Sequence, residues 1–146
     1  MSTPKLVVHT DVFLEHLCGA KHPSILRQAM RKFFCYTTAF QAIELFSLAR
    51  TEAEAQAVQD SMAAIKILGL NPKGAGAYGR LLATHGRRDR WTLLIAGLCL
   101  ESRLPILTAR RREFAGIAGL IVVPPRMIEK GGSGERILRA LGHSDR

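Results

Sequence analysis

Cysteine is scarce in this chain, with only Cys18, Cys35 and Cys99 among 146 residues. The number is odd, the positions are far apart and the neighbours are apolar, which argues against a disulfide framework or a zinc site and for buried, reduced thiols. Long apolar runs are missing too. None reaches the roughly 18 residues that a membrane helix needs, and the first residues lack the basic stretch and apolar core of a secretion signal, so no membrane association and a cytoplasmic location are expected. Acidic residues are few, 12 against 21 basic ones, which leaves a net charge of +9. That surplus favours polyanionic partners, nucleic acid first among them. Aromatics make up only 6% of the chain, so little is on offer for stacking bases.

What is present suits one globular domain. Hydrophobic residues reach 47% against 23% charged, and a chain of this length buries one good core. Residues 5–11, Lys-Leu-Val-Val-His-Thr-Asp, form an apolar strand that runs directly into an amphipathic helix over residues 12–18, closed by Gly19. Such a junction places His9, Thr10 and Asp11 at a sheet's carboxyl edge, where open α/β sheets bind ligands. Thr10 or Asp11 is a candidate helix cap.

Further along, a helix is predicted from residue 23 or 24 to 34, then a short strand over 35–37. Thr38 and Gln41 have capping-box spacing and start a helix over 38–49 that carries Glu44 between Phe40 and Leu48. A carboxylate on such a face requires a partner or a task. Residues 52–65 read as a scaffolding helix and 67–70 as a short extended piece. Asn71-Pro72 opens another helix, whose glycines at 74, 76 and 79 match a phosphate-loop spacing only by accident, since no convincing strand precedes them. Residues 91–101 are apolar nearly all round, as a buried helix would be. Thr92 is its predicted N-cap and Trp91 is predicted core. Strands at 105–108 and 120–123 follow, separated by a basic turn over 109–114. The alternation implies a three-layer α/β/α sandwich with a mostly parallel sheet. Residues 1–125 are assigned to this domain, and residues 126–146 to a flexible linker ending in a short amphipathic helix.

Four stretches in order, Thr10-Asp11-Val-Phe-Leu, Ile43-Glu44-Leu45, Leu93-Leu-Ile-Ala-Gly97, and Ile106-Leu-Thr108 with Arg112-Glu-Phe114, resemble the PIN-domain family, in particular the VapC-type nucleases of bacterial toxin–antitoxin pairs. The resemblance implies metal-dependent cleavage of RNA by carboxylates that hold Mg²⁺ or Mn²⁺ at the sheet's carboxyl edge. It places the family's four acidic positions on His9, Glu44, Thr92 and Arg110. Only Glu44 matches, and Arg110 brings a permanent positive charge where a cation should bind. Asp11 and Glu44 are the remaining candidate catalytic carboxylates, with Asp89 three residues before Thr92.

The expectation is therefore a PIN-like protein with impaired metal-dependent catalysis, no bound metal or cofactor, and retained binding of RNA or an antitoxin-like protein. The alternative is an active metal-dependent endoribonuclease using Asp11, Glu44 and Mg²⁺ or Mn²⁺. His9 reads as a sheet-edge histidine bonded to a neighbour or, more sharply, as a base or the ligand of a softer metal. Glu44 is expected to pair with Arg110. Arg87, Arg88 and Arg90, with Arg110, Arg111 and Arg112, are expected to ring the same edge and contact phosphates. A homodimer is expected as well, from Phe33-Phe34-Cys35-Tyr36 and the tail's Ile137, Leu138 and Leu141.

Overall fold

Short, wholly apolar strands belong in the middle of a parallel sheet covered on both faces, and the computed structural model, which describes residues 3–142, arranges them so. The strands are β1 (Lys5–Val8), β2 (Phe34–Thr38), β3 (Lys66–Leu68), β4 (Ile106–Leu107) and β5 (Val122–Val123). They form one sheet in the order β3-β2-β1-β4-β5, and every neighbouring pair is parallel. Val7 of β1 lies opposite Tyr36 on one side and Ile106 on the other. Leu6, Val7 and Val8 are completely buried.

The helices are α1 (Thr10–Cys18), α2 (Ile25–Met30), α3 (Ala39–Leu48), α4 (Glu52–Met62), α5 (Ala75–Thr84), α6 (Arg90–Ser102), α7 (Arg111–Phe114), α8 (Pro125–Glu129) and α9 (Gly134–Ala140). Two apolar clusters share the sheet. One joins Leu6 and Val8 to Phe13, Leu26, Leu45, Val58 and Met62 from α1 to α4. The other joins Val7 and Ile106 to Leu93, Ile95, Ala96 and Cys99 of α6 and to Phe114. Burial of each large aliphatic side chain contributes about 1.5–3 kcal/mol. The result is the three-layer α/β/α arrangement.

Local signals explain several boundaries. Gly19 closes α1 in the left-handed conformation at φ 68°, a backbone state that costs glycine nothing. Thr38 and Gln41 make a reciprocal capping box at the start of α3. Gly97 lets α6 approach α5: a Cβ there would stand 2.4 Å from two ring carbons of Tyr78.

The packing departs from expectation in four places. α2 ends at Met30 and β2 already starts at Phe34, because Phe33 turns into the core. Cys18 is exposed, unlike buried Cys35 and Cys99, since it falls on the last turn of α1. Trp91 is 40% exposed, lying edge-on against Phe40 at 5.4 Å instead of entering the core. The division at 125/126 does not match the packing either. Ile128 of α8 and Ile137 and Leu138 of α9 belong to the main core, and Gly134 sits so close to the Lys32 carbonyl that a Cβ would fall 2.5 Å from it. The ends of those two assigned segments, 1–2 and 143–146, lie outside the described residues.

Candidate functional site

The strand order contains one reversal. From β1 the chain proceeds outward through β2 and β3, then returns to place β4 on β1's other side. The crevice at the carboxyl ends of β1 and β4 is thus the topological switch point, where open α/β sheets hold ligands. His9 follows β1 and Thr108 follows β4. Their strands are tied there by a hydrogen bond from the His9 N–H to the Leu107 carbonyl at 3.0 Å. On the β2 side, the buried Gln41 amide donates to the Val8 carbonyl at 2.7 Å and the Thr37 hydroxyl donates to the same oxygen at 3.0 Å. The end of β1 is therefore held from both flanks.

His9 is the N-cap residue of α1, but its side chain makes no capping bond. Its Nδ1 lies 3.0 Å from Asp11 Oδ1, and its ring stands edge-on to the buried Phe114 ring at 5.1 Å and 84°. Asp11 is in turn fixed by the Ala109 N–H, which donates to Oδ2 at 2.7 Å, and by the Thr108 hydroxyl, which donates to Oδ1 at 3.1 Å. The same hydroxyl accepts from the Arg110 N–H at 3.0 Å. Burial by itself would raise the Asp11 pKa. The hydrogen bonds from His9, Ala109 and Thr108, with the attraction of a protonated His9, outweigh it and hold the carboxyl below its ordinary value. An ionised carboxylate can only accept, so Nδ1 carries the proton of this bond, and in the neutral imidazole the Nε2 lone pair is then free. Nε2 makes no hydrogen bond within the described residues.

Beside His9 opens a cavity of about 360 Å³, whose walls include Glu44 of α3, Asp89 and Thr92 at the start of α6, and Arg88, Arg110 and Arg112. Asp89, not Thr92, caps α6, its Oδ2 accepting from the Thr92 N–H at 3.0 Å and lying 3.3 Å from the Thr92 hydroxyl. The expected Glu44–Arg110 pair does not form. Arg110 instead reaches Glu113 at 3.5 Å, one helical turn away on its own segment, and Glu44 is in no ion pair among the described residues. Leu48, an apolar neighbour of Glu44 on the helix, is 54% exposed, and Glu44 itself is half-buried in the cavity wall.

Of the six arginines expected to ring this edge, Arg88, Arg110 and Arg112 line the cavity. Arg111 lines an adjoining cleft with Arg110 and Arg112, while Arg87 and Arg90 are exposed outside both. Arg88 is a strut: its guanidinium donates to the carbonyls of Glu113, at 2.8 Å, and of Ala115. Thr108, Gln41 and Phe114 were not singled out as site residues from the sequence. The signal for Thr108 was its place at the carboxyl end of a central strand.

No family model matches the sequence, and no curated protein matches it. Solved structures do match in shape. VapBC2 of Rickettsia felis, bound to a DNA fragment from its promoter, is similar at a TM-score of 0.67 with 20% identity, covering 82% of this chain and 98% of that one. A toxin–antitoxin complex of Klebsiella pneumoniae gives 0.65 and 19%, covering 82% and 97%. A protein of Pyrobaculum aerophilum gives 0.59 and 14%, covering 97% and 98%. The chain has the PIN fold of the VapC-type toxins.

Against the acidic centre that the resemblance implies, the donor set fits a divalent metal poorly. Mg²⁺ wants near-octahedral oxygen donors, with carboxylates anchoring it. Here both Asp11 oxygens are occupied by donors of the chain and Asp11 is not part of the cavity wall. Asp89 is engaged in capping and Glu113 faces Arg110. Among the described residues no group of three or more His, Cys, Asp or Glu is placed to hold a metal ion. Glu44, Asp89 and Glu113 share the wall with Arg88, Arg110 and Arg112, whose positive charges oppose a divalent ion there.

Proposed function

We propose that this chain is a PIN-fold module that binds RNA through its phosphates and has lost metal-dependent nuclease activity. The observation that supports it is the positive charge gathered at the switch-point cavity: Arg88, Arg110 and Arg112 stand in its wall beside Glu44, Asp89 and Glu113, within a chain of net charge +9. The Arg110–Glu113 pair is exposed on both sides and worth little, so a phosphate can replace the carboxylate. Interactions of this kind position a nucleic acid without reading its sequence.

The test is fluorescence anisotropy with labelled single-stranded RNA over a range of salt concentrations. Affinity should fall steeply with salt, and Arg87→Ala, Arg111→Ala and Arg112→Ala together should flatten the slope by about 0.7 for each phosphate that is no longer neutralised. Equal affinity and slope in the triple variant, or no binding at low salt, would overturn RNA binding. The unmodified protein should show no Mg²⁺-stimulated cleavage, and neither Thr92→Asp nor His9→Asp alone should restore it while Arg110 repels the ion. Mg²⁺-dependent cleavage that Glu44→Ala abolishes would instead establish the endoribonuclease that uses Glu44.

Self-association is part of the same proposal. Core packing takes up Phe33, Cys35, Ile137 and Leu138, so the support moves to Ile43 and Phe46 of α3, both exposed, with Trp91 against Phe40 at the same end of the sheet. Sedimentation at micromolar concentration should give about twice the 16.1 kDa chain mass. A persistent monomer would favour a second reading in which an antitoxin-like protein covers this face; the similar structure from Klebsiella pneumoniae is a toxin–antitoxin complex.

A further inference from the structure

We propose that the cavity carries a metal-independent activity, in which His9 is the base that starts cleavage of RNA by its own 2′-hydroxyl. The proposal rests on the reading that this cavity takes RNA phosphate, and adds the reaction that the side chains there can perform.

Three observations meet at one place. Asp11 is anchored to the β4 end through the Ala109 N–H at 2.7 Å and the Thr108 hydroxyl at 3.1 Å, so it cannot follow the ring if the ring turns. It accepts from Nδ1 at 3.0 Å, and Phe114 blocks the ring from the side. These fix both the tautomer and the orientation of His9, which are the properties a general base must have before substrate arrives. Nε2 then presents a lone pair with no partner among the described residues, on a residue that lines the cavity. Arg110 and Arg112 share that wall. Glu44 has no orienting side-chain partner among the described residues, which makes it the poorer base.

RNA supplies both the nucleophile and the leaving group. The proton on ribose O2′ passes to His9 Nε2, and the O2′–P bond forms as the P–O5′ bond breaks. Arg110 and Arg112 offset the charge that develops on the non-bridging phosphate oxygens. The departing O5′ takes a proton from solvent, to which the cavity is open, and His9 returns its proton to water. The products are a 2′,3′-cyclic phosphate and a 5′-hydroxyl. DNA has no O2′ and is left intact. Asp11 acts through His9 and is a positioning residue.

The experiment is incubation of the full chain with 5′-labelled RNA in excess EDTA, with products resolved by end-group chemistry and binding measured in parallel. The expected result is 2′,3′-cyclic phosphate ends, and a rate at least about 100-fold lower in His9→Gln with RNA affinity retained, the low end of what a positioned base contributes. His9→Gln purified identically also exposes any contaminating nuclease, since contamination would cut equally in both samples. Because that variant could misfold, a second measurement leaves the protein unchanged: a single 2′-deoxy substitution at a cleaved position should abolish cutting there and nowhere else. RNA bound but uncut in EDTA, equal rates in His9→Gln, cutting at the 2′-deoxy position, or 5′-phosphate products would each overturn the reaction while leaving RNA binding in place. Absence of RNA binding would overturn both.

Discussion

Asp11→Asn tests how the switch point is held together. The side chain is 15% exposed and accepts three hydrogen bonds, from His9, Thr108 and the Ala109 backbone. Bonds to an ionised acceptor are worth about 1.5–3 kcal/mol and neutral ones about 0.5–1.5. Loss of the charge should therefore cost about 1 kcal/mol per bond. An asparagine amide also turns a donor toward either Nδ1 or a donor on the β4 side. The expected total is about 2–4 kcal/mol, or about 6–12 °C in Tm at roughly 3 °C per kcal/mol for a chain near this size. The pH dependence adds a sign. The folded-state pKa of Asp11 lies below its ordinary 3.8, so its stabilisation is fully present above 3.8 and is lost as pH falls through the lower folded value. The assay is thermal unfolding by circular dichroism of parent and variant from pH 7 downward. The gap in Tm should be present throughout the range above 3.8 and should close in acid below it. A gap under about 2 °C at pH 7, or one that stays constant into acid, would refute the argument that an ionised Asp11 braces the site.

Other expectations concern regions away from the cavity. Gly97→Ala would set a Cβ 2.4 Å from the Tyr78 ring and push apart the hydrogen bond from its hydroxyl to Glu101 at 2.6 Å; overpacking of this kind costs about 1–3 kcal/mol, readable by urea unfolding. His16 is held below its ordinary 6.5 by partial burial and then by Arg27, and its Nδ1 contacts the Ser24 hydroxyl at 2.7 Å, so its NMR titration midpoint should fall under 6.5. Because the unfolded chain then binds more protons in that window, stability should decline as pH drops from 6.5 through the folded value, and less so in His16→Gln. Arg88→Ala should release the carbonyls of Glu113 and Ala115 and speed amide exchange across α7 without lowering Tm by more than a few degrees.

The sequence made the order of elements and the sheet's carboxyl edge legible, because strands like Leu6-Val7-Val8 and caps like Thr38 with Gln41 are local signals. The three-layer fold and the α3 cap were found where the pattern placed them. Less local features were misread. Whether Asp89 or Thr92 caps α6 depends on a difference of three residues in where the helix starts, and both are good caps. Arg110 shares the cavity wall with Glu44 and Glu113, and the sequence-near Glu113 is the one it pairs with. Size argues for Trp91 in the core, yet large indoles are seldom wholly enclosed. The tail's glycines suggest a leash, while Ile137 and Leu138, three and four residues past the last of them, find room in the main cluster. His9 reads as bonded to a neighbour, which it is. That the neighbour is Asp11, itself clamped from a strand about 100 residues later, could not be seen without the pairing of β1 with β4.

That long reach sets a timetable for synthesis. β1 meets β2 across about 30 positions, so the first half of the sheet can zip as the early chain emerges. The carbonyl and N–H groups on β1's other side must wait for residues 105–109, and with them the clamp on Asp11. Closing a span of that length is slow compared with local pairing, and a ribosome adds only about 5–20 residues each second. A nascent chain therefore passes several seconds with a histidine that no carboxylate aims and a crevice that has one wall. Whatever the cavity does, an unfinished copy of this protein cannot do it.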